Sequence, residues 1–218
     1  MDEQVEVSQE AEYDRITFEI QIYEKCQKYK EMNRNVVEVL KNQKALYENN
    51  KDRKKKLIEL FSLSNKFLVS NILSTIHSMD SLGSIKEGDE NLELSIKEFK
   101  NIKKNELKII SDEIITNIKN LIQFEEDKLT YFFLLKMEAD YKRKIAFGYY
   151  EKDSQDRNDL CEDIEKIYEE AKKIAENLLG ERRYNYEYLS LILNKCVFHY
   201  EMGEANITKA YDLAKMTI

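Results

Sequence analysis

A chain of 218 residues that contains no proline and only 5 glycines has few means of turning sharply. Sandwiches and barrels draw on both residue types for the dihedrals of their many turns. Long helices need neither, so the chain is predicted to be all-α. Charged residues make up 35% of it and hydrophobic residues 42%, a mixture suited to amphipathic helices around one core. No Pro/Ser-rich linker divides the sequence, and residues 1–218 are read as one helical domain.

Charge and cysteine usage narrow the function. The net charge of −7 argues against a general nucleic-acid binder, which needs broad positive surface. No stretch approaches the roughly 20 apolar residues that span a bilayer, and MDEQVEVSQE lacks the basic-then-apolar layout of a signal peptide. Cys26, Cys161 and Cys196 are widely spaced and form no C-x-x-C pair, as expected of reduced thiols in the cytoplasm. A membrane or nucleic-acid partner is not expected.

Apolar spacing resolves a series of helices. Helical regions are predicted over Val7 to Ile20 and Tyr23 to Leu46, the latter interrupted near Asn33-Arg34-Asn35. A third covers Lys51 to Met79 and gives way to a surface loop, SMDSLGSIKEGDE, at 78–90. Further helices follow over Glu90 to Phe124, Leu129 to Phe147, Asp159 to Leu179 and Tyr184 to Met202. Gly148, Gly180 and Gly203 occupy the stop positions of the last three. An eighth begins near Ala205 and is still running at Ile218. Short connections between such rods favour an antiparallel bundle.

Most catalytic chemistries lack their residues. The glycines are too sparse for G-x-x-x-x-G-K or G-x-G-x-x-G, and H-E-x-x-H is absent. With only His77 and His199, neither preceded by Glu at the third position, a Glu-x-x-His di-iron site is not available. Cys196 and His199 lie one turn apart in an apolar helix, where such a pair reads as core. The basic run Lys51-Asp52-Arg53-Lys54-Lys55-Lys56 reads as the solvated start of a helix. No enzyme activity, cofactor or metal is expected.

Two segments stand out. In Phe133 to Lys144, the helical period places Lys136, Asp140, Arg143 and Lys144 on one stripe, with Asp140 able to hold Arg143 or Lys136. In Leu189 to Glu201, Asn194, Val197 and Glu201 share a face, with Leu193 beside them. An amide amid aliphatics needs a hydrogen-bond partner, which the main chain of a peptide can supply.

Leu135-Lys136-Met137 with Asp140-Tyr141 and Arg143 resembles the fifth-helix signature of 14-3-3 proteins. Leu193-Asn194 with Val197-Phe198, Tyr200 and Glu201 resembles their seventh. Ile167-Tyr168-Glu169-Glu170-Ala171 and Ala210-Tyr211-Asp212-Leu213-Ala214-Lys215 are similar to the sixth and eighth, and Ile72-Leu73-Ser74-Thr75-Ile76 to the end of the third. The resemblance implies a nine-helix antiparallel bundle, a homo- or heterodimer through the first helices. Its groove would bind phosphoserine or phosphothreonine peptides of partner proteins, without catalysis. By the same resemblance Arg143 and Lys136 serve the phosphate, Asn194 bonds the peptide main chain, and Leu193 and Val197 form an apolar wall. Glu201 lies farther along as a polar contact or helix brace.

Departures from the family pattern matter equally. A family tyrosine that binds phosphate is Lys144 here. The third-helix Lys and Arg fall on Leu60 and Phe67, with Lys66 one residue from the Arg position as a substitute. The ninth helix is not in this sequence. Phosphate binding weaker than is usual for the family, or of shifted specificity, is therefore expected. The competing reading is a scaffold of the same fold that binds unmodified segments. Tetratricopeptide repeats rank lower, since W-x₂-L-G-x₂-Y is missing and the helices outrun the roughly 34-residue repeat.

Overall fold

Helices in this chain start and stop on side-chain and backbone caps more than on glycine. The computed structural model describes residues 2–85, 90–179 and 185–215, and among these there are eight α-helices, one 3₁₀ turn and no strand. In chain order they are α1 (Asp2–Lys25), α2 (Tyr29–Asn42), the 3₁₀ turn (Lys44–Leu46), α3 (Lys51–Ile85) and α4 (Glu90–Ile122). Then come α5 (Lys128–Gly148), α6 (Gln155–Leu179), α7 (Tyr186–Glu201) and α8 (Glu204–Lys215). The chain divides into two compact units, Met1–Ser78 and Met79–Ile218.

In the first unit, α1 ends where Gln27 adopts a left-handed φ of 56°. Lys28 N–H reaches back to the Tyr23 carbonyl (2.8 Å) and Gln27 N–H to that of Glu24 (3.0 Å), satisfying carbonyls at the helix end. The break predicted at Asn33-Arg34-Asn35 is not there, because these asparagines serve neighbouring helices instead. Asn33 Nδ2 donates to Ser64 Oγ (3.1 Å) and Asn65 Oδ1 (2.6 Å) of α3, and Asn35 Nδ2 to Glu19 of α1 (3.4 Å). Around them α2 buries Met32, Val36, Val39 and Leu40.

The surface loop expected from residue 78 begins later, since α3 continues to Ile85. A Cβ at Gly83 would meet nothing within 4 Å, so this glycine marks no turn and no close approach. Residues 86–89, with Gly88, lie outside the described residues, as do Gly180 and the last residues, 216–218.

The second unit is a row of antiparallel rods, as its cross-links demonstrate. Lys104 pairs with Glu151 and Lys119 with Glu138, which sets α4 antiparallel to α5. Tyr131–Glu170 and Lys142–Asp163 do the same for α5 and α6, and Tyr188–Glu176 and His199–Glu165 for α6 and α7. Fully buried alanines, Ala139, Ala146, Ala171 and Ala175, form one cluster with Phe132, Ile164 and Phe198. Burying each such large side chain contributes about 1.5–3 kcal/mol. The helix starts are capped: Asp127 accepts from Thr130 N–H (2.8 Å) before α5, and Asn185 from Glu187 N–H (2.8 Å) before α7. Gly203, at φ +101°, ends α7 as predicted. Gly148 does not play that part for α5, because it is the last helical residue and Tyr149, the cap, stays right-handed.

Candidate functional site

One face of α5 meets one face of α7 through Asp140. Its carboxylate accepts from Asn194 Nδ2 on both oxygens (2.9 and 2.7 Å), from the Tyr168 hydroxyl of α6 (2.6 Å) and from Lys136 Nζ (3.2 Å). Three helices are thus tied to a single carboxylate. Arg143, one turn along α5, donates from Nη1 to Glu201 Oε2 of α7 at 2.8 Å. Asp140 therefore braces Lys136 directly, while the bonded partner of Arg143 is Glu201. The pairs 140–194 and 143–201 advance together, so α5 and α7 run parallel across this face.

Burial sharpens the charges. The Tyr168 phenol is pushed well above its usual range, first by burial and then by the Asp140 charge, with Arg143 opposing. The hydroxyl stays protonated and remains a donor to Asp140. Burial works against the Arg143 cation, but Tyr168, Glu201 and Asp140 outweigh it and raise its pKa. Its Nε is buried without an acceptor. A half-buried guanidinium, a neighbouring ammonium and an amide on a facing helix form an arrangement suited to an oxyanion beside an extended chain.

The other expected residues are placed as follows. Lys144 lies over the Tyr141 ring, 4.5 Å from its centroid. Leu193 is 62% exposed and Val197 half-buried on the same side of α7 as Asn194. Lys66 is an exposed residue of α3 in the first unit. In that unit Leu60 is buried and Phe67 stacks on Tyr29 at 4.2 Å, so neither offers charge.

A family model for 14-3-3 protein matches residues 19–218, nearly the whole chain and both helices of this face. The chain belongs to the 14-3-3 family. A search of curated proteins gave no match. The family assignment accounts for the all-α architecture, and 14-3-3 proteins are non-catalytic adaptors that bind phosphorylated partners and form dimers. Among the described residues no helix is long and apolar enough to cross a membrane.

Behind the 14-3-3 signature residues lie two ionic clusters that the motif reading missed. On α7, buried Lys195 pairs with Glu165 (3.0 Å) and Glu169 of α6, and His199 Nε2 sits 3.5 Å from Glu165. Burial holds the His199 imidazole below its ordinary pKa; Glu165 opposes this, while Lys195 and Lys209 reinforce it. On α5, buried Lys142 pairs with Glu138 (2.6 Å) and Asp163 (2.5 Å). Burial disfavours its charge, but the two carboxylates win and raise its pKa. The sequence signals were a lysine falling among apolar positions of each helix and, for Lys142, the i,i+4 spacing from Glu138. Among the described residues no cluster of His, Cys, Asp and Glu is arranged to hold a metal.

Proposed function

We propose that this 14-3-3 chain is an adaptor that grips phosphoserine or phosphothreonine peptides across α5 and α7. Arg143 and Lys136 meet the phosphate, with Lys144 assisting. Asn194 bonds the peptide main chain, and Leu193 and Val197 supply an apolar wall. The observation that supports this reading is the convergence of Lys136, Asp140 and Asn194 with the Arg143–Glu201 pair on one face. Affinity is set below that usual for the family, because Leu60 and Phe67 stand where cations are expected. In this reading residues 1–218 act as one domain, in the cytoplasm, as a homo- or heterodimer. Titration of a labelled phosphoserine peptide against its unphosphorylated twin is the test, and equal affinities would remove phosphate from the account.

A second reading keeps the fold and drops the phosphate. The buried Leu60 and the stacked Phe67 favour it. Crystals soaked in phosphate discriminate: an anion beside Arg143 supports the first reading, and its absence supports the second.

A further inference from the structure

Two cations of the α5–α7 face are each matched by a carboxylate before any ligand arrives. Lys136 is matched by Asp140 at 3.2 Å, and Arg143 by Glu201 at 2.8 Å. Asp140 cannot readily leave, since Asn194 and Tyr168 hold it as well as Lys136. Glu201 is held differently. Its carboxylate is bonded to Arg143, its side chain is 35% exposed, and it is the last residue of α7, two residues before the left-handed Gly203. Arg143 is far less exposed, at 15%, so the guanidinium stays while the carboxylate can swing to solvent. The unpaired, buried Arg143 Nε shows that one carboxylate does not saturate the guanidinium.

From this geometry we infer that Glu201 is an internal competitor that occupies the phosphate seat on Arg143 and must be displaced by an incoming phosphorylated residue. The inference rests on the phosphopeptide reading above and adds a displacement step to it. An entering anion exchanges with a resident carboxylate. A ligand with a single negative charge and two acceptor oxygens replaces like with like and gains little. A phosphomonoester, with close to two charges and three acceptor oxygens, gains both charge and donors. Displacing Glu201 frees the Arg143 charge for the ligand. The resident carboxylate therefore lowers absolute affinity for every anion that must open the pair, and the dianion, with more charge and acceptors, has the most to gain once it is open. It also gives a local reason for weak phosphate binding, separate from the missing α3 cations.

The test uses the full chain and a fluorescein-labelled peptide with one phosphoserine among neutral residues, beside its unphosphorylated twin. Glu201→Gln keeps shape and a hydrogen-bond acceptor for Arg143 but removes the charge. Anisotropy titrations are expected to show about tenfold tighter binding of the phosphopeptide, the equivalent of one charge-assisted hydrogen bond no longer broken. The twin should be unchanged. Glu201→Asp, which draws the carboxylate back along a shorter side chain, should give a smaller gain in the same direction and guards against a folding defect in the first variant. If wild type prefers the phosphopeptide and Arg143→Ala abolishes that preference, yet neither Glu201 variant tightens binding, the competitor role is overturned and the phosphopeptide reading survives. If no variant distinguishes the two peptides, both fall. Preference that emerges only in Glu201→Gln supports the competitor role in its strongest form.

Discussion

Among the described residues, the first compact unit buries only neutral polar groups, whereas the second buries charged ones beside the neutral Ser111 and Asn117. In the first, Ser64 and Asn65 are neutral, fully buried and linked to Asn33. In the second, the buried polar set includes Glu138, Lys142, Lys195 and His199, each beside an opposite charge or a partner able to carry one. Neutral amides give register between helices at small electrostatic expense. Buried charges are costly and rarely add net stability, so their concentration along α5, α6 and α7 has another cause. These are the helices that carry the family signature, and the charged pairs there tie α6 to α5 and to α7.

Lysine replacement probes that contrast most strongly. Lys142→Met would leave Glu138, 5% exposed, as a buried charge without its closest cation. A loss of about 3–5 kcal/mol is expected in urea unfolding. Lys195→Met should cost less, since the side chains of Glu165 and Glu169 are 38% and 44% exposed and can rehydrate. Equal losses would mean that carboxylate exposure does not govern the penalty.

Arg143→Ala comes next, and it separates recognition from stability. Two charge-assisted bonds at about 1.5–3 kcal/mol each predict a loss of phosphopeptide preference of roughly 100-fold or more. Helical circular dichroism should persist. Retained preference would move the phosphate elsewhere on the molecule.

A pH series sharpens the charged side of the comparison. Because the His199 pKa is held below its unfolded value by burial, the unfolded chain binds the extra proton more readily in the window between the two. Stability should therefore be fully present above the ordinary imidazole pKa of roughly 6.5 and decline as pH falls through the folded value. Glu169, whose pKa is held low by Lys195 against the effect of burial, adds a loss of the same sign at more acidic pH. His199→Gln should flatten the first decline and leave the second. An unaltered profile in that variant would assign the slope to other groups.

The smallest effect belongs to the first unit. Asn65→Ala removes one neutral hydrogen bond with Asn33 and also an Nδ2 that has no acceptor. The expected loss is about 1 kcal/mol. A loss as large as that of Lys142→Met would erase the distinction drawn between the units.

Much of the architecture was legible because periodicity is a local property. The helices from α4 to α8 follow their apolar spacing closely, and Gly203 marks a real stop. Failures cluster where one residue type serves two purposes. Asn33 and Asn35 look like turn residues, but their amides bond other helices. Gly83 looks like a break, yet it sits on an open helix surface. Gln27 takes the left-handed position that glycine usually fills, so nothing flagged it. At the candidate site, spacing within α5 revealed the stripe and Asp140 as its brace. The Arg143–Glu201 pair joins residues 58 apart in sequence, and no intrahelical period can report such a partnership. Lys195 escaped for the same reason, since its carboxylates lie on α6, whereas Lys142 has Asp163 on α6 and also Glu138 one turn back on α5.

That middle helix faces two ways. Tyr168 and Asp163 reach α5, while Glu165 and Glu169 reach α7, so α6 acts as a spacer bolted to both jaws of the candidate face. Jaws held at a fixed separation need no hinge motion to admit a guest. Admission then turns on the local exchange at Arg143 rather than on a change of spacing, and differences among guests should appear in how long each one stays.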